Sequence, residues 1–205
     1  ATISQGGLDW TYAPGGNGET PATFHIPATG KWVFEVSGLS SGANIVYIAF
    51  LPIQYDYQST LSAITDGLVY ESAAGLIEVD NDGGTAQGSA YGDPAGVLVR
   101  FEYDRDGDSL ETFYDDVSQG TVTWDGNGEA LQIVVGAGGG TGTASFNFGQ
   151  LGGLTNTPTA GFVILSTSNL PTPEIIKPSE HFGIDLYTGT TETHVRANVY
   201  DFPPD

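Results

Sequence analysis

Apolar and polar side chains alternate along residues 97–103, and the same alternation returns along residues 110–115. A period of two is typical of strands with one buried face, so each segment is predicted to form a strand. Between them lies Asp106-Gly107, a pair that tolerates positive φ and allows the chain to reverse its direction. We therefore predict a β-hairpin with an acidic turn.

Short segments of similar character follow one another along most of the chain. Their β-branched and aromatic residues favour strands, and long runs of good helix formers are absent. The run Asn44–Phe50 is almost continuously apolar, which predicts a strand buried on both faces. Gln54–Ile64 is ambiguous and compatible with a helical turn. The other predicted strands are Leu8–Tyr12, Ala22–Ile26, Lys31–Val36, Leu68–Glu71, Gly75–Val79, Gly120–Trp124, Leu131–Gly136, Ala144–Phe148 and Phe162–Ile164.

The prolines at positions 171, 173 and 178 set this stretch apart from the rest of the chain. Proline fixes φ and removes a backbone donor, so this stretch is poorly suited to a central strand. We predict a β-domain over residues 1–173. Residues 174–205 are predicted to form an extended arm, with at most a short strand at Ile184–Thr188, leading towards a further module or a neighbouring subunit.

Charge and size narrow the classes of function. The 205 residues suffice for one sizeable domain with its own core. The net charge is −20 and only five residues are Lys or Arg, so we expect neither nucleic-acid binding nor membrane insertion. The simplest interpretation of the charge is solubility, and the sharper one is cation binding or docking on a basic partner. Cysteine is absent, which excludes disulfides, zinc–thiolate sites and thiol nucleophiles.

Several segments resemble the SPRY domain, and more narrowly the SPRY modules of tailed-phage virion proteins. They are GKWVFEV at 30–36, YGDPAGVLVRFEYDRDGDSLETFYDDVSQG at 91–120, SFNFGQ at 145–150 and GFVILSTSNLPTP at 161–173. The stretch KPSEHFGIDLYTG at 177–189 is similar to the segment that follows SPRY in such proteins. The resemblance extends over residues 6–205.

This resemblance implies an all-β fold, a concanavalin-like sandwich of two antiparallel sheets. Function on such a fold usually resides in connecting loops that recognise a partner. We therefore expect a non-enzymatic structural or recognition module of a phage virion: a fibre, an appendage or a capsid decoration that mediates protein–protein contact or host attachment. Its expected location is the virion, and its expected partners are other virion proteins, including further copies of itself in a homo-oligomer.

A lectin-like module that binds a host surface glycan is the alternative. Such a module would stack sugar rings on aromatic side chains of its loops, for which Tyr55, Tyr57 and Trp124 are the candidates. The same three side chains are candidate contacts for a protein partner. Packing within the framework is the competing interpretation of all three.

Asp104, Asp106 and Asp108 are the candidate metal ligands, because hard cations such as Ca²⁺ prefer carboxylate oxygens. Their spacing departs from that of an EF-hand loop. Gly107 is the fourth residue counted from Asp104 where the loop has its glycine sixth, and the twelfth residue is Asp115 instead of Glu. The simpler interpretation is a hairpin turn without a metal ion.

Catalytic motifs are absent from the sequence. No GxSxG elbow nominates a nucleophilic serine, and His25, His181 and His194 follow no metal-ligand spacing such as HExxH. A glycan hydrolase would need two carboxylates at a suitable separation. Among 25 acidic residues some pair meets this condition by chance, so the presence of such a pair is weak evidence. We therefore predict no catalytic residue, and no cofactor other than the Ca²⁺ alternative.

Overall fold

The structure is a computed structural model. It describes residues 2–4, 9–12, 18–40, 44–53, 67–73, 76–79, 85–87, 92–124, 126–150, 152–166 and 169. The chain divides into two compact units, Ala1–Pro171 and Thr172–Asp205. All described residues belong to the first unit, and the predicted arm at 174–205 lies outside them.

The described part of the chain is built almost entirely from short strands, which confirms the all-β prediction. Each strand predicted within residues 1–173 has a counterpart in the structure with shifts of a few residues at its ends, and the short strand predicted at Ile184–Thr188 lies outside the described residues. The strands are β1 Thr2–Ser4, β2 Asp9–Tyr12, β3 Gly18–Ile26, β4 Lys31–Ser37, β5 Asn44–Pro52, β6 Leu68–Glu71, β7 Leu76–Val79, β8 Thr85–Gln87, β9 Val99–Asp104, β10 Ser109–Tyr114, β11 Val117–Thr123, β12 Leu131–Gly139, β13 Gly142–Asn147 and β14 Val163–Ile164. A short 3-10 helix, Gly126–Gly128, lies between β11 and β12.

These strands form two sheets. Sheet one has the order β1-β2-β13-β4-β9-β10-β11, and β14 pairs in parallel with the first half of β4. Sheet two has the order β3-β12-β5-β6-β7-β8. All other described strand pairs are antiparallel. The architecture is therefore the antiparallel sandwich that the sequence predicts.

An aromatic cluster fills the core between the inner faces of the sheets. The ring centroid of the fully buried Phe101 lies 5.3 Å from that of Phe34, 5.7 Å from Phe50 and 5.2 Å from Tyr70. Phe34 and Phe101 belong to sheet one, and Phe50 and Tyr70 belong to sheet two, so their packing joins the sheets. The Tyr70 hydroxyl is hydrogen-bonded to the Tyr114 hydroxyl at 2.6 Å, which pairs two polar groups inside an apolar core.

Strand β5 is buried on both faces, as its apolar run predicts. Ile48 and Phe50 belong to the main core, whereas Ala49 and Leu51 belong to a second apolar cluster together with Val69 and Val134. Successive side chains of a strand point to opposite faces of its sheet. The second cluster therefore lies on the outer face of sheet two.

Strands β1 and β8 were not predicted, because three residues are too few to show a period of two. Strand β11 begins at Val117, three residues before its predicted start. A shift of register opposite Thr112 and Phe113 interrupts its pairing with β10, and this bulge hides the period in the sequence. No helix in the described part of the chain is long and apolar enough to span a membrane.

Candidate functional site: the loops at one end of the sandwich

Connections from both sheets meet at the end of the sandwich where β9 turns into β10. Arg105 N donates a hydrogen bond to Gly30 O at 2.9 Å, and Gly30 N donates one to Asp106 Oδ1 at 2.8 Å. These bonds join the β9–β10 turn to the β3–β4 turn. We call this end the hairpin end, and define it as residues 27–30, 104–108 and 126–130 together with Ile53.

Arg105 ties a third connection to the hairpin end. Its side chain is buried and its Nη2 donates to Glu129 O at 2.6 Å. The guanidinium carbon lies 5.1 Å from the centroid of the Tyr103 ring. Charge-assisted hydrogen bonds and an aromatic face compensate for the removal of the cation from water. Next to this contact, Ile53 N donates to Ala130 O at 3.0 Å, which brings the end of β5 to the same place.

Asp104 organises the acidic turn from within. Its carboxylate accepts hydrogen bonds from Lys31 Nζ, from Gly107 N at 2.9 Å and from Asp106 N at 3.1 Å. Asp106 accepts from Gly30, and Asp108 has a φ of 51°, a left-handed conformation that Asp tolerates. Two of the three candidate ligands thus hold the turn together. Among the described residues, no three His, Asp or Glu side chains form a group that could hold a metal ion.

The pKa of Asp104 gives a prediction for acid stability. Burial raises this pKa, but the hydrogen bond and charge of Lys31 and the N–H groups of Gly107 and Asp106 lower it by more, so the pKa lies below its ordinary value. A carboxylate with a lowered pKa stabilises the fold above its unfolded pKa of about 4, and this contribution disappears as the pH falls through the folded value. Asp104→Asn should therefore lower the urea midpoint at pH 7, and the difference from the parent should shrink below about pH 4.

Asp108→Asn is the matched control for this measurement, because the Asp108 side chain makes no hydrogen bond within the described residues. It is expected to change the urea midpoint at pH 7 by less than Asp104→Asn does. A deficit for Asp104→Asn that stayed constant from pH 7 to acid, or grew, would contradict the assignment.

Trp124 lies in the core and not on an exposed loop. Its side chain is only 6% exposed and packs in the main apolar cluster. Trp124 N donates to Asp108 O at 2.9 Å, so the residue continues the pairing of β10 with β11. Val122 faces the core, and Trp124 follows it by two residues, so strand alternation directs Trp124 to the core as well. The predicted loop position of this residue is therefore corrected, and the same strand alternation could have shown it.

Tyr55 and Tyr57 lie outside the described residues, so their assignment as ligand contacts stays a prediction. The last described residue before them is Ile53, whose side chain is 47% exposed at the hairpin end. Sequence reasoning did not single out this residue. It follows the last residue of β5, and nothing in the apolar run of that strand marks where burial stops.

A second polar network, also missed from the sequence, lies on the outer face of sheet one. The side chain of Glu35 is fully buried. Its carboxyl oxygens accept hydrogen bonds from Thr155 N and Asn156 N, each at 2.8 Å, and from Asn147 Nδ2 at 3.1 Å. Polar residues that alternate with core residues are ordinarily assigned to solvent. Here the segment at 152–162 covers them.

Glu102 holds the same segment at a second point. Its Oε1 accepts from Thr159 N at 2.8 Å and lies 3.0 Å from Arg100 Nε. Arg100 also pairs with Asp116 and lies 4.1 Å above the centroid of the Phe113 ring. Glu35 and Glu102 thus bind the backbone of the covering segment.

Substitution of Gly126 tests how closely the β11–β12 connection packs against Arg105. Its φ is +59°, and a Cβ at this position would lie 2.8 Å from Arg105 Nη2 and closer still to Nη1. Gly128 has a φ of +67° and open space around it. The left-handed conformation alone costs an alanine about 1–2 kcal/mol. Gly126→Ala is therefore expected to lower the melting temperature clearly more than Gly128→Ala, and equal losses would contradict the close packing of Arg105.

No family model and no curated protein matches the chain. Among solved structures it is similar to a human SPRY domain, with 17% identity and a TM-score of 0.51 over 71% of this chain and 94% of that one. It is also similar to the SPRY domain of human HERC1 (12% identity, TM-score 0.57, 75% and 92% covered) and to the TRIM65 PSpry domain (12%, 0.52, 71% and 84%). These similarities show the fold: the described unit is a concanavalin-like β-sandwich of the SPRY type.

Proposed function

We propose that this chain is a non-enzymatic recognition module that contacts a partner protein through the hairpin end. The main support for the proposal is that the loops of the hairpin end are held together by hydrogen bonds. Arg105, Gly30 and Asp106 join three connections through hydrogen bonds of 2.6–2.9 Å. A surface that is ordered before binding loses little conformational entropy on association.

The exposed groups at the hairpin end suit a protein partner. Ile53 presents an apolar side chain that is 47% exposed, and Ala130 and Glu129 lie beside it. Asp106 is exposed on the neighbouring turn. A small apolar centre within a polar rim is a common composition for an interface. The acidic rim favours a partner whose facing surface is neutral or basic.

The finer proposal is a role in a tailed-phage virion, as part of a fibre, an appendage or a capsid decoration. Its support is the resemblance of residues 30–36, 91–120, 145–150 and 161–173 to the SPRY modules of such particles. The SPRY-type fold supports protein recognition by analogy, because one fold hosts many functions. Within a particle the partners would be other virion proteins and further copies of this chain.

Cross-linking on intact particles tests both levels of the proposal. The chain has few lysines but many carboxylates, so a carboxylate-reactive dihydrazide linker is the suitable reagent. We expect antibodies against this domain to label purified virions. We also expect cross-links from the exposed Asp106 to another virion protein, and fewer from Asp93 and Asp115 at the opposite end. Unlabelled particles would contradict the virion role, and cross-links confined to the opposite end would contradict the proposed surface.

A pair of surface variants separates recognition from stability. Ile53→Ser is expected to reduce attachment of the domain to the cross-linked virion protein at least tenfold. Ala95→Ser is the control, because this residue is exposed on the loop that precedes β9 at the opposite end. Neither change should shift the melting temperature by more than about 1–2 °C, since exposed substitutions cost about 0.5 kcal/mol. Tight binding on a glycan array without any virion contact would instead favour the lectin alternative.

A further inference from the structure

The outer edge of β11 is a free sheet edge in the described part of the chain. Strand β11 is the last strand of sheet one and pairs only with β10 there. Its residues Thr121 and Thr123 are exposed, whereas Val122 between them is buried in the core. The strand is therefore firmly held on one side and open to solvent on the other.

The hydrogen-bond pattern between β10 and β11 shows which backbone groups of β11 face this edge. Trp124 N donates to Asp108 O at 2.9 Å, which makes these two residues a hydrogen-bonded pair. Pairs alternate in an antiparallel ladder, so Thr123 opposite Ser109 and Thr121 opposite Glu111 are non-hydrogen-bonded pairs. The N–H and C=O groups of Thr121 and Thr123 consequently point away from β10, in the direction of a further strand.

The usual protections of an exposed edge are missing from β11. Edge strands of monomeric proteins commonly carry lysine, proline or inward-pointing charges that prevent pairing with another chain. The sequence of β11 is VSQGTVT, with neither a charged residue nor a proline. Its bulge lies near the start, and the pairing from Gly120 to Thr123 is regular. The four residues from Gly120 to Thr123 can therefore pair with another strand.

We propose that the edge of β11 binds an extended, basic segment of a partner protein as an additional strand. Acidic turns bound this uncharged strand at both ends. Asp115 and Asp116 precede it, and Asp106 and Asp108 lie beside its end through the Trp124–Asp108 hydrogen bond. An extended segment of about seven residues spans roughly 23 Å. The complementary segment has an uncharged, β-forming centre with Lys or Arg at both ends.

A second copy of this chain is a poor occupant of the same edge. If two β11 strands paired antiparallel, Asp115 and Asp116 of one copy would meet Asp106 and Asp108 of the other. A parallel pair would place each acidic turn beside its own equivalent. Like charges oppose pairing in both arrangements, and each chain has a net charge of −20. The proposal rests on the proposed function only in taking the partner to be a protein.

A set of synthetic peptides tests the proposal directly. The probes are eight-residue peptides of alternating Thr, Val and Ile with Lys at both ends, and their counterparts with Glu at both ends. We expect the Lys-ended peptides to bind at least tenfold more tightly, and to slow hydrogen exchange at the amides of Thr121 and Thr123. The difference should decrease with added salt, because screening weakens the contacts with the acidic turns. Absence of binding by every Lys-ended peptide at millimolar concentration would overturn the proposal.

Thr121→Pro and Thr121→Val are the matched variants. Proline removes the outward N–H and is tolerated on a free edge, so the peptide affinity should fall at least tenfold. Valine keeps the N–H and should leave the affinity within twofold. If the proline variant does not fold, a Lys-ended peptide N-methylated on alternate residues replaces it and should lose binding. Retained binding in either case would overturn strand addition, while the cross-links from the hairpin end would still decide the proposed function separately.

Discussion

Glu35→Ala is expected to destabilise the protein by about 3–5 kcal/mol, because each hydrogen bond to a charged group contributes about 1.5–3 kcal/mol and three such bonds are lost together. The substitution would remove the acceptor of three hydrogen bonds from Thr155 N, Asn156 N and Asn147 Nδ2. Thr155 N and Asn156 N would then lose their acceptor beside the fully buried position 35. At about 2–4 °C per kcal/mol, the melting temperature should fall by roughly 6–20 °C.

Glu111→Ala is the control for Glu35→Ala. Glu111 lies on the same outer face of sheet one, is partly exposed, and accepts a hydrogen bond from Ser118 Oγ at 2.6 Å. Its loss should cost about 0.5–1 kcal/mol. Hydrogen exchange at Thr155 and Asn156 should accelerate in the Glu35 variant and stay unchanged in the Glu111 variant. Similar melting temperatures for the two variants, with unchanged exchange, would show that Glu35 does not hold the covering segment.

Trp124→Ala is expected to cost about 3–5 kcal/mol, because it removes a large side chain from the core. Trp124→Phe should cost less than Trp124→Ala, since it keeps the six-membered ring and leaves a smaller cavity. The Nε1–H of Trp124 has no hydrogen-bond partner within the described residues, so phenylalanine forfeits no hydrogen bond there. Urea unfolding of the two variants beside the parent measures both values.

The same pair of variants decides how a loss of binding is to be interpreted. Weaker glycan or protein binding by Trp124→Ala is expected to follow from unfolding, and it should be restored in Trp124→Phe. A variant that kept the parent's stability but lost a ligand would instead place Trp124 on a recognition surface. The exposed Ile53 is the better position for a binding test, because its side chain contributes little to the core.

The sequence by itself determined the strands, because a period of two depends only on which residues avoid water. The resemblance of its segments to the SPRY domain implied the sandwich. Residues 97–115 show this most clearly, since Phe101 and Tyr103 face the core and the acidic turn reverses the chain where predicted. The apolar run of β5 likewise indicated burial on both faces. Trp124 was misplaced even though the same alternation, followed two residues past Val122, directs it inward.

Only the tertiary structure decided which polar residues are structural. Glu35 and Arg105 have the sequence pattern of surface residues, yet a covering segment and a neighbouring loop bury them. The contacts that bury them join residues far apart in the chain, such as Glu35 with Thr155 and Arg105 with Glu129. Periodicity reports the preference of each residue for water or core along one strand. It carries no information on which distant loop will supply a hydrogen bond, and that choice fixes both the buried network and the surface left for a partner.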